Sequence, residues 1–367
     1  MKLSTLQQDL LPHLQAVGRS VGVRSTLPVL DNILLSAEGK KLKIAATNLE
    51  IGVIRYINAE VEQEGAITVP AKTLIELISG LDQSKIIIAK EGDSLVLESG
   101  KFKATINGIA HTEFPAIPLS SKDVIQLPKE VVLSSQQILF AAASDEGRPV
   151  LTGILTEVKN GKVDFVATDG FRLAHRIVEI SKKETLLKSL IPKKTFEEVI
   201  RIISETESLE TVGLATSSDQ NQVVFNLGTN LLSSRLIEGQ FPSWEKIIPV
   251  KIVTRAMVDK EEFLKAIKLA AVFARGETNI VILTLGKNGL SIESSAKEVG
   301  SQQNEVEANI EGDDLQIAFN SKFLLDAISN CPSSQIMMEF SGPLSASLIK
   351  PVGVEGLEYI VMPVRIN

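Results

Sequence analysis

Three groups of side chains have the types that chemistry requires. Asp169, set in Ala167-Thr168-Asp169-Gly170, and the adjacent acids Glu197-Glu198 and Glu261-Glu262 offer carboxylates for acid/base work or for an oxygen-ligated metal. Cys331 and the histidines His13, His111 and His175 are the remaining candidates for a nucleophile or a softer metal. None of the groups has the context its chemistry needs. A lone cysteine makes no internal disulfide, and the histidines lie far apart with no second ligand at metal spacing. Asp169 has Asn48 as its counterpart in an earlier copy of the same motif, which suits a turn better than catalysis. Acidic pairs at a helix start are favoured by the helix dipole without any chemistry. No Gly-x-x-x-x-Gly-Lys-Ser/Thr loop and no hydrolase elbow occurs. The residues therefore read as those of a protein without catalytic site, metal or cofactor.

The elements that carry these residues come in copies. Lys41-Leu42-Lys43-Ile44-Ala45-Ala46-Thr47-Asn48 is echoed by Lys162-Val163-Asp164-Phe165-Val166-Ala167-Thr168-Asp169. Pro70 to Ile78 is echoed by Pro192 to Ile200 at nearly the same offset, and more weakly by Asn320 to Ile328. Glu98-Ser99-Gly100, Asn226-Leu227-Gly228 and Phe340-Ser341-Gly342 each separate two apolar alternating runs, while Phe114-Pro115, Phe241-Pro242 and Met362-Pro363 close the copies. The period is far longer than the roughly 20 to 50 residues of solenoid repeats, so each copy is a domain. Boundaries are expected near residues 124 and 252, giving domains 1–124, 125–252 and 253–367. Leu10, Leu14 and Val17, and again Leu74, Leu77, Ile78 and Leu81, have helical spacing. Short β-rich runs lie between and after them. Each copy thus reads as two amphipathic helices and about eight strands, an α+β domain with helices on antiparallel sheet.

Composition narrows the class further. The chain has 367 residues, 44% hydrophobic and 23% charged, which is the balance of a folded globular protein of several domains. Its unbroken apolar runs, such as Ile86 to Ala89, fall far short of the roughly 20 residues that cross a bilayer. The start Met1-Lys2-Leu3-Ser4 has no secretory h-region, so a cytoplasmic location is expected. Only 4% of residues are aromatic, too few for an extended stacking platform for single strands. A net charge of -7 argues against a uniformly basic, DNA-gripping surface, and leaves a local basic face open.

The motifs together are specific. Arg24-Ser25-Thr26-Leu27-Pro28-Val29-Leu30-Asp31-Asn32, Ala167 to Ala174, Glu238-Gly239-Gln240-Phe241-Pro242 with Ile247-Ile248-Pro249, and Tyr359 to Arg365 resemble, over the whole chain, the bacterial sliding-clamp family, the beta subunits of DNA polymerase III. The resemblance implies a three-domain protomer, a head-to-tail dimer closed into a ring around duplex DNA, and a non-catalytic part of a nucleotidyltransferase holoenzyme. It implies as partners sequence-independent duplex DNA, a second copy of the chain, polymerase subunits, a clamp loader and other proteins with clamp-binding motifs, and no membrane. Encirclement explains the charge: a topologically held protein needs only a modest set of cations facing the DNA.

The resemblance also implies sites. Arg24, Lys72 and Lys194 correspond to DNA-facing positions, joined by Arg201. On the third domain's first helix, a step of about 100° per residue gathers Lys265, Lys268 and Arg275 into roughly an 80° arc. The loop Asp145 to Val150 lacks the tyrosines of some members, which leaves Arg148 as the DNA contact expected there. The partner-peptide pocket would be formed by Leu151, Thr168, Gly170, Phe171, Arg172, Leu173, Pro242, Lys246, Ile247, Asn320, Ile360, Met362, Pro363, Val364 and Arg365. The dimer seam would set Lys101, Lys103 and Ile106 against Val272, Phe273, Glu298, Glu305 and Glu307. The rival reading is a non-enzymatic β-repeat scaffold with the same three domains.

Overall fold

The computed structural model describes residues 1–22, 27–118, 124–145, 147–181, 186–217, 221–275, 279–287, 289–298 and 300–365. The chain forms two compact units, one of Met1–Val132 with Glu197–Leu236 and one of Leu133–Phe196 with Ile237–Asn367. Both are built from antiparallel sheet with helices against it.

Among the described residues, the first unit holds a five-stranded and an eight-stranded sheet. The five-stranded sheet runs in the order Glu60–Gln63, Lys2–Leu6, Lys85–Glu91, Ser94–Ser99, Phe102–Asn107. The eight-stranded sheet joins strands of two sequence copies, because Asn230–Arg235 pairs antiparallel with Ile51–Asn58. In the second unit a nine-stranded sheet does the same through Arg172–Glu179 and Leu357–Val361. Its companion is a four-stranded sheet in the order Gly300–Val306, Gly289–Ala296, Ile280–Gly286, Leu315–Asn320. The division into units therefore passes through the middle copy, whose strands serve one sheet in each unit.

The helices bury one stripe each. Leu10, Leu14 and Val17 of Gln7–Gly18, and Leu74 and Ile78 of Ala71–Ser79, are fully covered. Lys260–Ala274 buries Phe263, Ile267, Ala270 and Ala274. That helix starts on Asp259, whose carboxylate accepts from the Glu262 N–H at 3.0 Å, with Glu261 and Glu262 in its first turn. The acidic pair thus sits at the positive end of the helix dipole. One expected helix is broken. After the five-residue Lys129–Leu133 the chain tightens into the 3-10 turns Ser134–Gln137 and Leu139–Ala141. Two consecutive serines compete with the backbone for hydrogen bonds and weaken α-helix there. No described helix is long and apolar enough to cross a membrane.

Candidate partner cleft and basic surface

The turn after strand Lys162–Thr168 organises the candidate cleft. Asp169 Oδ1 accepts from the N–H groups of Phe171 at 2.9 Å and Arg172 at 3.0 Å, and Thr168 Oγ1 accepts from Gly170 N–H at 3.0 Å. Gly170 has φ +92°, a left-handed conformation that glycine adopts without strain. Asp169 is therefore a turn acid. Its second oxygen accepts from Arg172 Nε at 3.0 Å, and the guanidinium also pairs with Asp326 and donates to the Phe140 carbonyl at 2.9 Å. The same guanidinium lies 4.8 Å from the Phe323 ring centre and 5.4 Å from that of Phe140. Nearly buried and bonded through each of its three nitrogens, Arg172 ties the turn to the helix Ser321–Ser329.

Beside this turn the expected pocket residues divide into a floor and a rim. Leu151, Thr168, Leu173 and Ile360 are buried. Leu173 and Ile360 belong to one apolar cluster with Leu155, Val166, Leu190 and Leu348. Phe171, Ile247 and Met362 are exposed, Phe171 by 58%, as are Pro242, Lys246 and Arg365. Pro363, Val364 and Asn320 are half-buried. The segment Met362 to Val364 is docked by two hydrogen bonds, Met362 N–H to the Phe171 carbonyl at 2.9 Å and Val364 N–H to the Ala318 carbonyl at 2.8 Å. Asn320 is first of all a helix cap, accepting from Lys322 N–H at 3.0 Å.

Several residues of the cleft escaped the sequence reading. Phe241, Trp244, Ile248 and Ala346 are partly buried hydrophobics packed on the same cluster. Phe323 stacks on Phe171 with ring centres 6.3 Å apart and planes 19° apart, extending the rim into an aromatic shelf. The one available signal was Trp244, the single tryptophan, two residues after Phe241-Pro242.

The cations expected on DNA are placed unevenly. Lys72, Lys194 and Lys322 each occupy the second position of a repeated helix and are exposed. Lys265, Lys268 and Arg275 are exposed as well. Arg201 instead pairs with Glu198 at 2.8 Å, and Glu198 also holds Arg19 at 3.0 Å. Arg148 donates to the Asp169 carbonyl at 2.9 Å, so its guanidinium braces the turn of the cleft. Arg24 lies outside the described residues.

At the expected seam, Lys101 and Lys103 are exposed, with Lys103 paired to Glu98 at 2.7 Å. Ile106 is only 5% exposed: it shares the inward face of Phe102–Asn107 with Phe102 and Ala104, and it belongs to its own domain core. Val272 is 61% exposed, Phe273 is half-buried, and Glu298, Glu305 and Glu307 are exposed. Among the described residues no cluster of three or more His, Cys, Asp or Glu could hold a metal. Burial pushes the Cys331 thiol up to about 12, far from thiolate chemistry.

Comparison with known proteins accounts for the whole chain. Residues 1–118, 126–243 and 245–365 match in turn the family models of the N-terminal, central and C-terminal domains of the DNA polymerase III beta subunit. A beta sliding clamp of Synechococcus elongatus is 32% identical over 376 aligned residues, covering all of both chains. One from Halalkalibacterium halodurans is 31% identical, with 95% of each chain covered. The crystal structure of the DNA polymerase sliding clamp of Bacillus subtilis superposes with a TM-score of 0.95 at 27% identity, over the full length of both chains.

Proposed function

The chain belongs to the DNA polymerase III beta subunit family, the beta sliding clamps, and from that membership we propose how its own strands close the clamp and engage partners. It is a DNA sliding clamp, a non-catalytic processivity subunit; nucleotidyl transfer is an activity of the polymerase and not of this chain.

One observation carries the proposal. Each joint between copies uses the same two strands of the repeat: Ile51–Asn58 with Asn230–Arg235, then Arg172–Glu179 with Leu357–Val361. In the first copy the strand equivalent to Asn230–Arg235 is Phe102–Asn107, and in the third the strand equivalent to Arg172–Glu179 is Gly300–Val306. Among the described residues both lie at sheet edges. An unpaired edge is a template for strand addition. Pairing Phe102–Asn107 of one protomer with Gly300–Val306 of another repeats the internal joint, and a heterologous contact used twice closes a dimer. Lys101 and Lys103 then face the acidic side of Glu298, Glu305 and Glu307, which sets orientation. Val272 and Phe273 supply apolar contact; Ile106, already consumed by its own core, does not.

Inside the closed ring, Lys72, Lys194, Lys265 and Lys268 contact phosphates and read no bases. The cleft around Leu173 and Ile360 takes a short apolar peptide of polymerase subunits, loader or other replication proteins, with Phe171 and Met362 as rim. The setting is the cytoplasm, where the chromosome is replicated. The test of closure is the solution mass of a V272D/E305K variant. Val272 and Glu305 are exposed, so the fold is spared. The expected result is a folded protomer at half the wild-type mass, and an unchanged dimer refutes this seam.

A further inference from the structure

Next to the apolar floor of the cleft lies a buried charge that the partner site does not explain. His175 sits on strand Arg172–Glu179, two residues past Leu173 and on the same face, and is only 4% exposed. Its register partners are Val166 on one side and Glu358 on the other. Its Nε2 lies 2.9 Å from Asp164 Oδ1 and its Nδ1 3.1 Å from Glu358 Oε1. A neutral imidazole carries one N–H, whereas two carboxylate acceptors require two donors, so the arrangement is that of an imidazolium. The indole of Trp244 covers the ring at 4.3 Å between centres, tilted by 57°. Trp244 also packs on the cluster of Leu173 and Ile360.

The remaining charges around His175 have other commitments. Arg172 and Arg176 alternate onto the opposite face of its strand, Arg176 donating to the Glu355 carbonyl at 2.7 Å. One strand beyond Asp164, Glu157 stands opposite it in register and is paired with Lys188 at 3.6 Å. One strand beyond Glu358, Lys350 is held by Glu339 at 3.0 Å. On the Trp244–Ile247 turn, Glu245 and Lys246 are exposed. Asp164 and Glu358 are thus the carboxylates bonded to the ring. Burial alone lowers the pKa of His175, but the hydrogen bonds and charges of these two acids outweigh it and leave the pKa above the usual value.

We propose that His175 is a positioning residue for the partner cleft: as a cation clamped by Asp164 and Glu358 it seats Trp244 against the apolar floor, so that partner affinity falls when the imidazole loses its proton. The inference rests on reading the cleft as the peptide site. Deprotonation removes one N–H donor, frees one carboxylate from its partner and ends the cation's attraction to the indole face. The clamp would then hold partners more tightly at mildly acid than at alkaline pH.

Because Trp244 is the only tryptophan, its emission reports this contact without labelling. The experiment titrates full-length protein from pH 5.5 to 9 and follows Trp244 emission together with the anisotropy of a fluorescein-labelled, C-terminally amidated pentapeptide of leucine, phenylalanine and glutamine. Wild type should show an emission transition centred above the ordinary histidine range and an affinity loss of about threefold or more with the same midpoint. H175Q should show neither transition and bind at all pH values as wild type does when alkaline. D164N/E358Q should move the midpoint down. Peptide binding with identical pH profiles in wild type and H175Q overturns the inference and leaves the cleft intact as the partner site. No binding by wild type at any pH overturns both.

Discussion

The turn from Thr47 to Ile51 in the first copy and the turn from Thr168 to Arg172 in the second share one backbone design. In each, the Asn or Asp side chain accepts from two N–H groups, Asn48 from Glu50 and Ile51, Asp169 from Phe171 and Arg172. In each, the threonine hydroxyl accepts from the residue two on and donates to the carbonyl four on. Both place their third residue in the left-handed region, Leu49 at φ 73° and Gly170 at φ 92°. The side chains then part company. Asn48, Leu49, Glu50 and Ile51 make an ordinary turn, whereas Asp169, Gly170, Phe171 and Arg172 add a charge, a close approach for Arg148, an exposed ring and a bridging guanidinium. The two copies share the hydrogen bonds that fix the chain and differ at the positions those bonds leave free, where the second copy carries the rim of the proposed partner cleft.

Breaking the bridge should have the largest effect. R172A leaves Asp169 and Asp326 without their shared cation in a largely covered site, an expected cost of about 3 kcal/mol, whereas I51A at the matching, half-buried position should cost about 1 kcal/mol. Urea unfolding of the two variants measures both, and equal costs would mean that Arg172 is no more than another side chain of the turn. Next comes the charge itself. D169N keeps the acceptor for two N–H groups but weakens the bond to Arg172, for about 1.5 kcal/mol. The reciprocal N48D should stay within about 0.5 kcal/mol, having no guanidinium to meet.

Backbone conformation gives a smaller contrast of opposite sign. G170A puts a Cβ at positive φ and 3.1 Å from Arg148 Nη1, for a loss of about 1 kcal/mol. L49G relieves the same strain at a side chain that is 48% exposed, for a gain of about 0.5 kcal/mol. Finally, two histidines should titrate with opposite consequences. The pKa of His13 is lowered, by burial first and by Arg55 second. The unfolded chain therefore takes the proton more readily, and stability falls as pH drops through about 6.5 toward the folded value. His175 is raised, so its contribution is complete below about 6.5 and is lost as pH rises through the folded value. H13Q should flatten the acid limb of the stability profile and H175Q the alkaline limb; a change on the other limb contradicts the assignment.

How far the sequence could be read follows the same division between local and distant forces. The copies were legible because turn and helix-start residues act on their own backbone: Asn48 and Asp169 in their turns, and Lys72, Lys194 and Lys322 at one position of three helices. The inward face of Phe102–Asn107 was also present as alternation, and Ile106 could have been assigned to the core from it. What escaped depends on residues brought together from afar. His175 meets Glu358, Phe171 meets Phe323, and Arg148 meets the Asp169 carbonyl through pairings between distant strands and loops. No window of sequence records these. The broken helix after Leu133 was expected only because the other copies carry one, and repetition says nothing of the two serines that interrupt it here.

The central claim, that this acidic chain is held on DNA by encirclement, is tested by the lifetime of the loaded protein on a nicked circle before and after that circle is cut once. With the cognate loader removed and salt raised well above physiological strength, the account predicts long retention on the circle and rapid loss once ends exist. Equal lifetimes on circular and linear DNA, both shortened by salt, would show a protein bound by charge and would contradict it.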